Sequence, residues 1–353
     1  MKYIPAWDGL RCFLLAGVLI FHFYYSSAHV LWWLSYSLPA FFVLSGYLIT
    51  QLILATEEKS LFSFLKKFYF KRALRILPVY YIVLFTAVLT CGYKFFIWAA
   101  VYLLNIKMFI FTFPSFTNPG ILETLSSWQY DGLHYWSMSV EEQFYIIYPL
   151  ALIPLVKKNR FRLIICSIIL SIVARNLFQN YYPRSFYGGL PFISGEYIMW
   201  GCLFGLIEFY KVNIRIAKEN IFSVAVGLGT LSLVIFGRHT FYKFGIFIPG
   251  NEQTLYAISI VLFIHGLKVD PDHWVSKFLS YRGFIYIGKI SYGVYLVHLF
   301  SVNLYDWIAN NIFPSIIIFP KPLVLIALSF IMGVALWHFI DVKINNFRKR
   351  ILP

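Results

Sequence analysis

The chain is a succession of apolar runs, each about 20 residues long and closed by a short stretch carrying charge, Gly or Pro. Within the runs apolar residues are continuous rather than alternating. That is the pattern of bilayer-crossing helices and not of barrel strands, the two solutions a bilayer admits because it offers no partner to unpaired backbone groups. Ten spans are predicted, at 7–27, 31–55, 77–93, 136–155, 163–178, 192–210, 221–237, 254–268, 284–306 and 322–342. A further apolar run, FFIWAAVYLLNIKMFIF at 95–111, follows Gly92, Tyr93 and Lys94 too closely to be placed by hydropathy alone.

Whether that run crosses sets the parity of everything after it, and charge decides. If it re-enters, one side of the membrane collects Lys59, Lys66, Lys67, Lys71, Arg72 and Arg75, then Lys157, Lys158, Arg160 and Arg162. The same side also holds Lys211, Arg215, Lys218, Lys268, Lys277 and Arg282, and finally Lys343, Arg348, Lys349 and Arg350. The other side keeps only Arg184, Arg238, Lys243 and Lys321 in its loops, so the positive-inside rule predicts ten spans, one re-entrant segment and both termini in the cytoplasm.

Composition agrees with this all-α membrane bundle. Of 353 residues 60% are hydrophobic, 21% aromatic and 13% charged, with a mean hydropathy of +0.71, against about 25% charged in a soluble domain. The net charge of +15 excludes no acidic partner by itself, but the basic residues lie between apolar runs, which fits membrane anchors and not a nucleic-acid surface. Cys12, Cys91, Cys166 and Cys202 are scattered and predict neither a metal site nor disulfides. The first span carries an Arg and no small-residue cleavage pattern, so it is expected to stay uncleaved. No repeat or linker appears. A single domain, 1–353, is expected to do its chemistry inside the bundle.

Ionisable groups in hydrocarbon cost several kcal/mol unless paired or facing a cavity, so each is a functional candidate. Arg11 and His22 are eleven residues apart in AWDGLRCFLLAGVLIFHFYY, on one face of a helix and roughly 16 Å apart along its axis. Arg11 is either a snorkelling anchor paired with Asp8 or one end of a path; His22 is either a neutral imidazole bonded to another helix or a general base. In KFYFKRALRILPVYY, Arg72 and Arg75 share a face just before Pro78 opens the third span. They suit phosphate, with Lys67 and Lys71 nearby, or simply mark a positive-inside boundary. Ser45 and Gly46, in LPAFFVLSGYLIT, favour close helix approach over a catalytic serine, because no base neighbours Ser45 in sequence.

The densest polar stretch is HYWSMSVEEQFYIIYP, 134–149. Glu141 is expected to reach across to His22, while Trp136, Tyr135 and Tyr145 offer a stacking surface for a sugar ring. A Ser cap at Ser137 or Ser139, an acidic first turn and an interfacial aromatic belt account for part of the stretch, less well for Glu141, Glu142 and Gln143. GKISYGVYLVHLF, 288–300, is expected to bury Lys289, Ser291, Tyr292, Tyr295 and His298, the last two sharing a face that either lines the same cavity or bonds between helices.

Taken in order, DGLR with the Arg11–His22 pair, FFVLSGYLIT, the Arg72–Arg75 pair, YWSMSVEEQFYIIYP and finally SYGVYLVHL resemble the acyltransferase 3 family of multispan membrane acyltransferases. The resemblance implies transfer of an acyl group, commonly acetyl from acetyl-CoA, to a hydroxyl of a carbohydrate or lipid-linked glycan acceptor at the cell envelope, such as lipopolysaccharide O-antigen or exopolysaccharide. It implies a place in the bacterial inner membrane, catalysis by His22, and donor binding by Arg11, Arg72 and Arg75. Joined to the residue reading, it puts the CoA phosphates at the cytoplasmic mouth. An acceptor hydroxyl arriving from the other side would give its proton to His22 as Glu141 holds the ring; an acyl-His intermediate is the variant. Trp136, Tyr135, Tyr145, Tyr295 and His298 are the substrate-binding candidates, no metal is expected, and the bilayer is a partner whereas nucleic acid is not. Two other readings stand beside it: a transporter or flippase of an anionic or glycan-linked solute, and a different acyltransferase superfamily whose key residue would be His298.

Overall fold

A computed structural model describes residues 3–24, 29–56, 60–91, 96–112, 132–181, 187–212, 218–236, 251–313 and 319–351. Among them every regular element is helical. In chain order the α-helices are α1 (Pro5–Tyr24), α2 (Ser37–Leu54), α3 (Leu61–Cys91), α4 (Phe96–Ala100), α5 (Leu104–Thr112), α6 (Tyr135–Leu152), α7 (Lys157–Tyr181) and α8 (Pro191–Phe209). They continue with α9 (Ile221–Phe236), α10 (Asn251–Val269), α11 (Trp274–Leu279), α12 (Arg282–Val297), α13 (Phe300–Asn311), α14 (Lys321–Leu336) and α15 (Val342–Ile351). Each of the ten predicted spans meets a helix. By length and composition, however, six segments among the described residues qualify to cross a bilayer: Pro5–Tyr24, Trp33–Leu54, Leu61–Thr90, Lys157–Phe178, Pro191–Phe209 and Lys321–Arg348. A seventh is added if α12 and α13, bent 70° against each other, count as one. The chain is an integral membrane protein of helices, and the expected count of ten is not carried over.

Two departures from the predicted boundaries matter for the site. The run at 95–111 forms two short helices, α4 and α5, broken around Tyr102, whose φ of 54° lies in the left-handed region. And α3 does not open at Pro78: it is a 31-residue helix with Pro78 inside it. Membrane helices tolerate proline where neighbours satisfy the freed carbonyl. Arg72 and Arg75 therefore sit within a continuous helix roughly 46 Å long, more than the hydrocarbon slab needs.

Backbone contact between helices sets the core. A Cβ on Gly46 of α2 would stand 2.0 Å from the Ile198 carbonyl oxygen, and one on Gly201 of α8 would stand 2.0 Å from that of Val43, so the expectation of close approach at Gly46 holds. α1 and α12 meet as closely: a Cβ on Gly288 would lie 1.8 Å from the Asp8 oxygen. Asp8 faces Gly288 at one end and His22 faces His298 at the other, so the two helices run parallel, side by side. Away from that pair, a fully buried ion pair between Arg175 of α7 and Glu196 of α8 is completed by Thr254 Oγ1, which donates to Glu196 at 2.6 Å.

Candidate functional site: a histidine cluster and an arginine end

The break between α12 and α13 creates the first polar centre. Where the helix bends, the carbonyls of Tyr295 and Leu296 accept from side chains. His298 is fully buried at 0% exposure; its Nδ1 lies 2.6 Å from the Tyr295 oxygen and its Nε2 lies 3.1 Å from Nδ1 of His22. A carbonyl only accepts, so His298 carries its proton on Nδ1. Its Nε2 must then accept, so the proton between the two rings belongs to His22 Nδ1. That leaves His22 Nε2 as a bare lone pair on a half-buried ring, the form a general base requires. The Val18 carbonyl one turn back is a second acceptor beside the His22 ring.

His134 is the third member, its ring centroid 4.6 Å from that of His298. Its Nε2 faces the Leu296 oxygen at 3.2 Å, while its buried Nδ1 has no hydrogen-bond partner among the described residues. Around it, Tyr135 donates to the Leu296 oxygen at 2.9 Å, and the Tyr295 hydroxyl sits 2.6 Å from that of Ser137. His134 opens the polar stretch 134–149, and the sequence signal for it is its helical spacing with Ser137 and Glu141 along one stripe. Beside this cluster an apolar cavity of about 690 Å³ lies between α3, α13 and α14; Phe300, in its wall, packs on His134.

The acids of α6 are placed differently from the expectation. Glu141 accepts from the Ser45 hydroxyl and from Tyr145 at 2.7 Å, so it does not hold His22; His298 does. The reason is register, since the stripe of α6 that meets the bend of α12 presents His134 and Ser137, one to two turns before Glu141. The next residue, Glu142, takes Arg72 in a two-pronged pair at 3.2 and 2.6 Å, and the guanidinium stacks 3.1 Å from the Tyr145 ring centroid. Gln143 exchanges hydrogen bonds of 3.1 and 3.0 Å with Asn105 of α5 and donates to the Tyr102 oxygen at 2.6 Å. Three successive side chains thus tie α6 to α2, α3 and α5.

Several expectations are corrected by this network. Arg72 is paired with Glu142, so of the Arg72–Arg75 pair Arg75 is the one without an ion pair among the described residues. Tyr135 is completely buried and one face of Tyr145 is covered by Arg72, so neither is a platform for a sugar; Trp136 stays partly exposed, edge-on to Phe42. Ser137 and Ser139 lie inside α6, donating to the His134 and Tyr135 carbonyls, and do not cap it. Lys289 is exposed, with its ammonium 5.8 Å from the Tyr3 ring centroid. Tyr295 and His298 do bond between helices, to Ser137 and His22. Ser45, with no base near it in sequence, has Glu141 beside it in space.

At the start of α1, Arg11 pairs with Asp8 at 2.7 Å, and Tyr3 donates to the same carboxylate at 2.6 Å. Burial, then this hydrogen bond, push the Tyr3 phenol up to about 12. Arg75 is exposed and forms no ion pair among the described residues; the charges of Arg11, Arg72 and Arg348 all act on it. Among the described residues no three His, Cys, Asp or Glu side chains converge as a metal cage. The polar chemistry therefore has two centres, an imidazole cluster and an arginine end, joined along one face of α1.

Comparison with known proteins points the same way. A family model described as an acyltransferase domain matches residues 4–340. Peptidoglycan O-acetyltransferase OatA of Listeria monocytogenes is 27% identical, covering 98% of this chain and 56% of that protein. O-acetyltransferase OatA of Staphylococcus aureus strain NCTC 8325 is 27% identical over 84% of the chain and 50% of the relative. A relative in Staphylococcus aureus strain COL is 26% identical over the whole chain and 60% of its own length. The chain spans between half and three fifths of these relatives. No solved structure matches.

Proposed function

As this chain belongs to the acyltransferase 3 family, we propose that it transfers an acetyl group from a cytoplasmic acyl-CoA to a hydroxyl of a cell-envelope glycan, with His22 as the base. The observation that carries this reading is the chain of protons from the Tyr295 carbonyl through His298 to His22, which leaves His22 Nε2 unprotonated. The acceptor O–H donates to that nitrogen as its oxygen attacks the thioester carbonyl. The C–S bond breaks, and the imidazolium returns its proton to the departing thiolate, so that an acetyl ester and free CoA leave. His298 holds the ring and shares the transient positive charge, the part Glu141 was expected to play.

The donor's phosphates stay at the arginine end, because such charges do not enter hydrocarbon. Arg11 and His22 are about 16 Å apart along α1, a span the uncharged arm of CoA can bridge. Termini in the cytoplasm and residence in a bacterial inner membrane complete the reading. The peptidoglycan named for the Listeria relative is the first acceptor to test, beside exopolysaccharide and lipopolysaccharide O-antigen. The apolar cavity next to His134 offers room for the hydrocarbon of a lipid-linked acceptor. A transporter is less well supported: it calls for two matched broken helices, and the described residues hold one bent pair.

The test is acetyl transfer from labelled acetyl-CoA to envelope glycan in membranes carrying the wild type or His22→Ala. Loss of product with unchanged membrane insertion is expected, and near-normal transfer by the variant overturns the reading. Accumulation of label as intact acetyl-CoA inside vesicles would instead support transport.

A further inference from the structure

Arg75 is the unbalanced charge of the arginine end. Arg11 has Asp8 and Arg72 has Glu142, at 2.7 and 2.6 Å, whereas Arg75 has three guanidinium neighbours and no ion pair among the described residues. Asp341 lies within Coulombic reach of Arg75 but forms no ion pair with it. One of the three neighbours, Arg348, comes from the far end of the chain and lies beyond residues 4–340, which the family model covers.

The geometry that delivers Arg348 is specific. Between α14 and α15 the helix makes a π-turn at Trp337–Asp341. A π-turn carries one residue more than an α-turn and so rotates all later side chains by roughly 100°. With that rotation Ile340 and Ile344 pack into the cluster that contains Ile76, Val79 and Tyr80 of α3. Arg348 follows Ile344 by four residues and so falls on the same face, alongside the turn of α3 that carries Arg75. It is half-buried, in contrast to Arg350 two residues on, which is exposed.

We propose that Arg348 and Arg75 form a clamp for a phosphate or pyrophosphate group, in which the C-terminal helix closes one side of the mouth used by the nucleotide thioester donor. Two planar forks converging from different helices suit the several oxygens of a pyrophosphate, and the ligand's charge relieves the repulsion between them. The clamp rests on the donor reading only for the source of its phosphate. An anionic lipid headgroup has the same chemistry.

Full-length protein is placed in phosphatidylcholine nanodiscs and titrated with free CoA and, separately, with inorganic pyrophosphate. Arg348→Gln and Arg75→Gln are each expected to weaken both ligands roughly ten-fold, the double variant by less than the product because both side chains hold one group. Arg350→Gln is expected to change neither. Arg348→Lys keeps the charge without the fork and is expected to retain part of the affinity, which also covers the case that the glutamine variant does not fold. Unchanged affinity for both ligands in Arg348→Gln overturns the clamp. An effect that emerges only when phosphatidylglycerol is added assigns the site to lipid and overturns it too. Arg348-dependent binding of pyrophosphate by a wild type that does not bind CoA upholds the clamp and removes CoA as the donor.

Discussion

Helix α6 and helix α1 make opposite uses of polar residues in a membrane. α6 carries the densest polar stretch of the chain, yet Glu141, Glu142 and Gln143 each end on a different neighbouring helix, at Ser45, Arg72 and Asn105. α1 has only Asp8, Arg11 and His22 as acidic, basic or imidazole side chains, and the bond from His22 Nδ1 to His298 leaves the other ring nitrogen of His22 unprotonated. Polar density marks where helices are joined; an open atom marks where a substrate can be met. Buried polar groups are satisfied almost everywhere because an orphan is costly in hydrocarbon, so an open one calls for an explanation.

The comparison is most easily broken at His22. Replacing it with Ala should lower acetyl transfer by about a thousand-fold, within the range of a lost general base, with folding intact; loss of the folded protein instead would make α1 as structural as α6. Glu142→Gln should do the reverse. It strands the Arg72 guanidinium in a buried site, a cost of about 3–5 kcal/mol, read as a lower melting temperature in detergent. Changing Arg72 to Gln in the same molecule should restore part of that loss, because the stranded charge is gone.

His298 tests the link between ring orientation and chemistry. His298→Ala should reduce kcat roughly a hundred-fold without changing the donor KM. His298→Gln, whose amide oxygen can still accept from His22 Nδ1–H, should recover part of that loss and keep the pH profile of the wild type. A purely packing role would leave Ala and Gln alike. Smaller still, Tyr145→Phe removes one of the two hydroxyl donors to Glu141, the 2.7 Å bond. It should cost about 1.5 kcal/mol of stability and leave turnover unchanged.

Much of the architecture is legible in the sequence. Continuous apolar runs located a helix at each predicted span, Gly46 announced a tight crossing, and Arg11 and His22 stood out for being ionisable in hydrocarbon. Where prediction and structure part, the cause is local chemistry read without its surroundings. Pro78 looked like the opening of a span because proline usually starts or ends a helix in water, yet α3 runs through it. Lys289 looked buried because its span is apolar, but its side chain is exposed and reaches towards Tyr3, which precedes α1.

By itself the sequence determined what each segment's solvent must be, since hydrophobicity along a helix is a property of neighbouring residues. Only the tertiary structure decided which polar atom meets which. His22 and His298 are 276 positions apart, and Arg348 comes within Coulombic reach of Arg75 only after a π-turn has rotated its helix. Such pairings depend on the relative depth and rotation of separate helices. One residue of slippage, about 1.5 Å and 100°, exchanges one partner for another without altering the hydrophobic pattern that put both helices in the membrane.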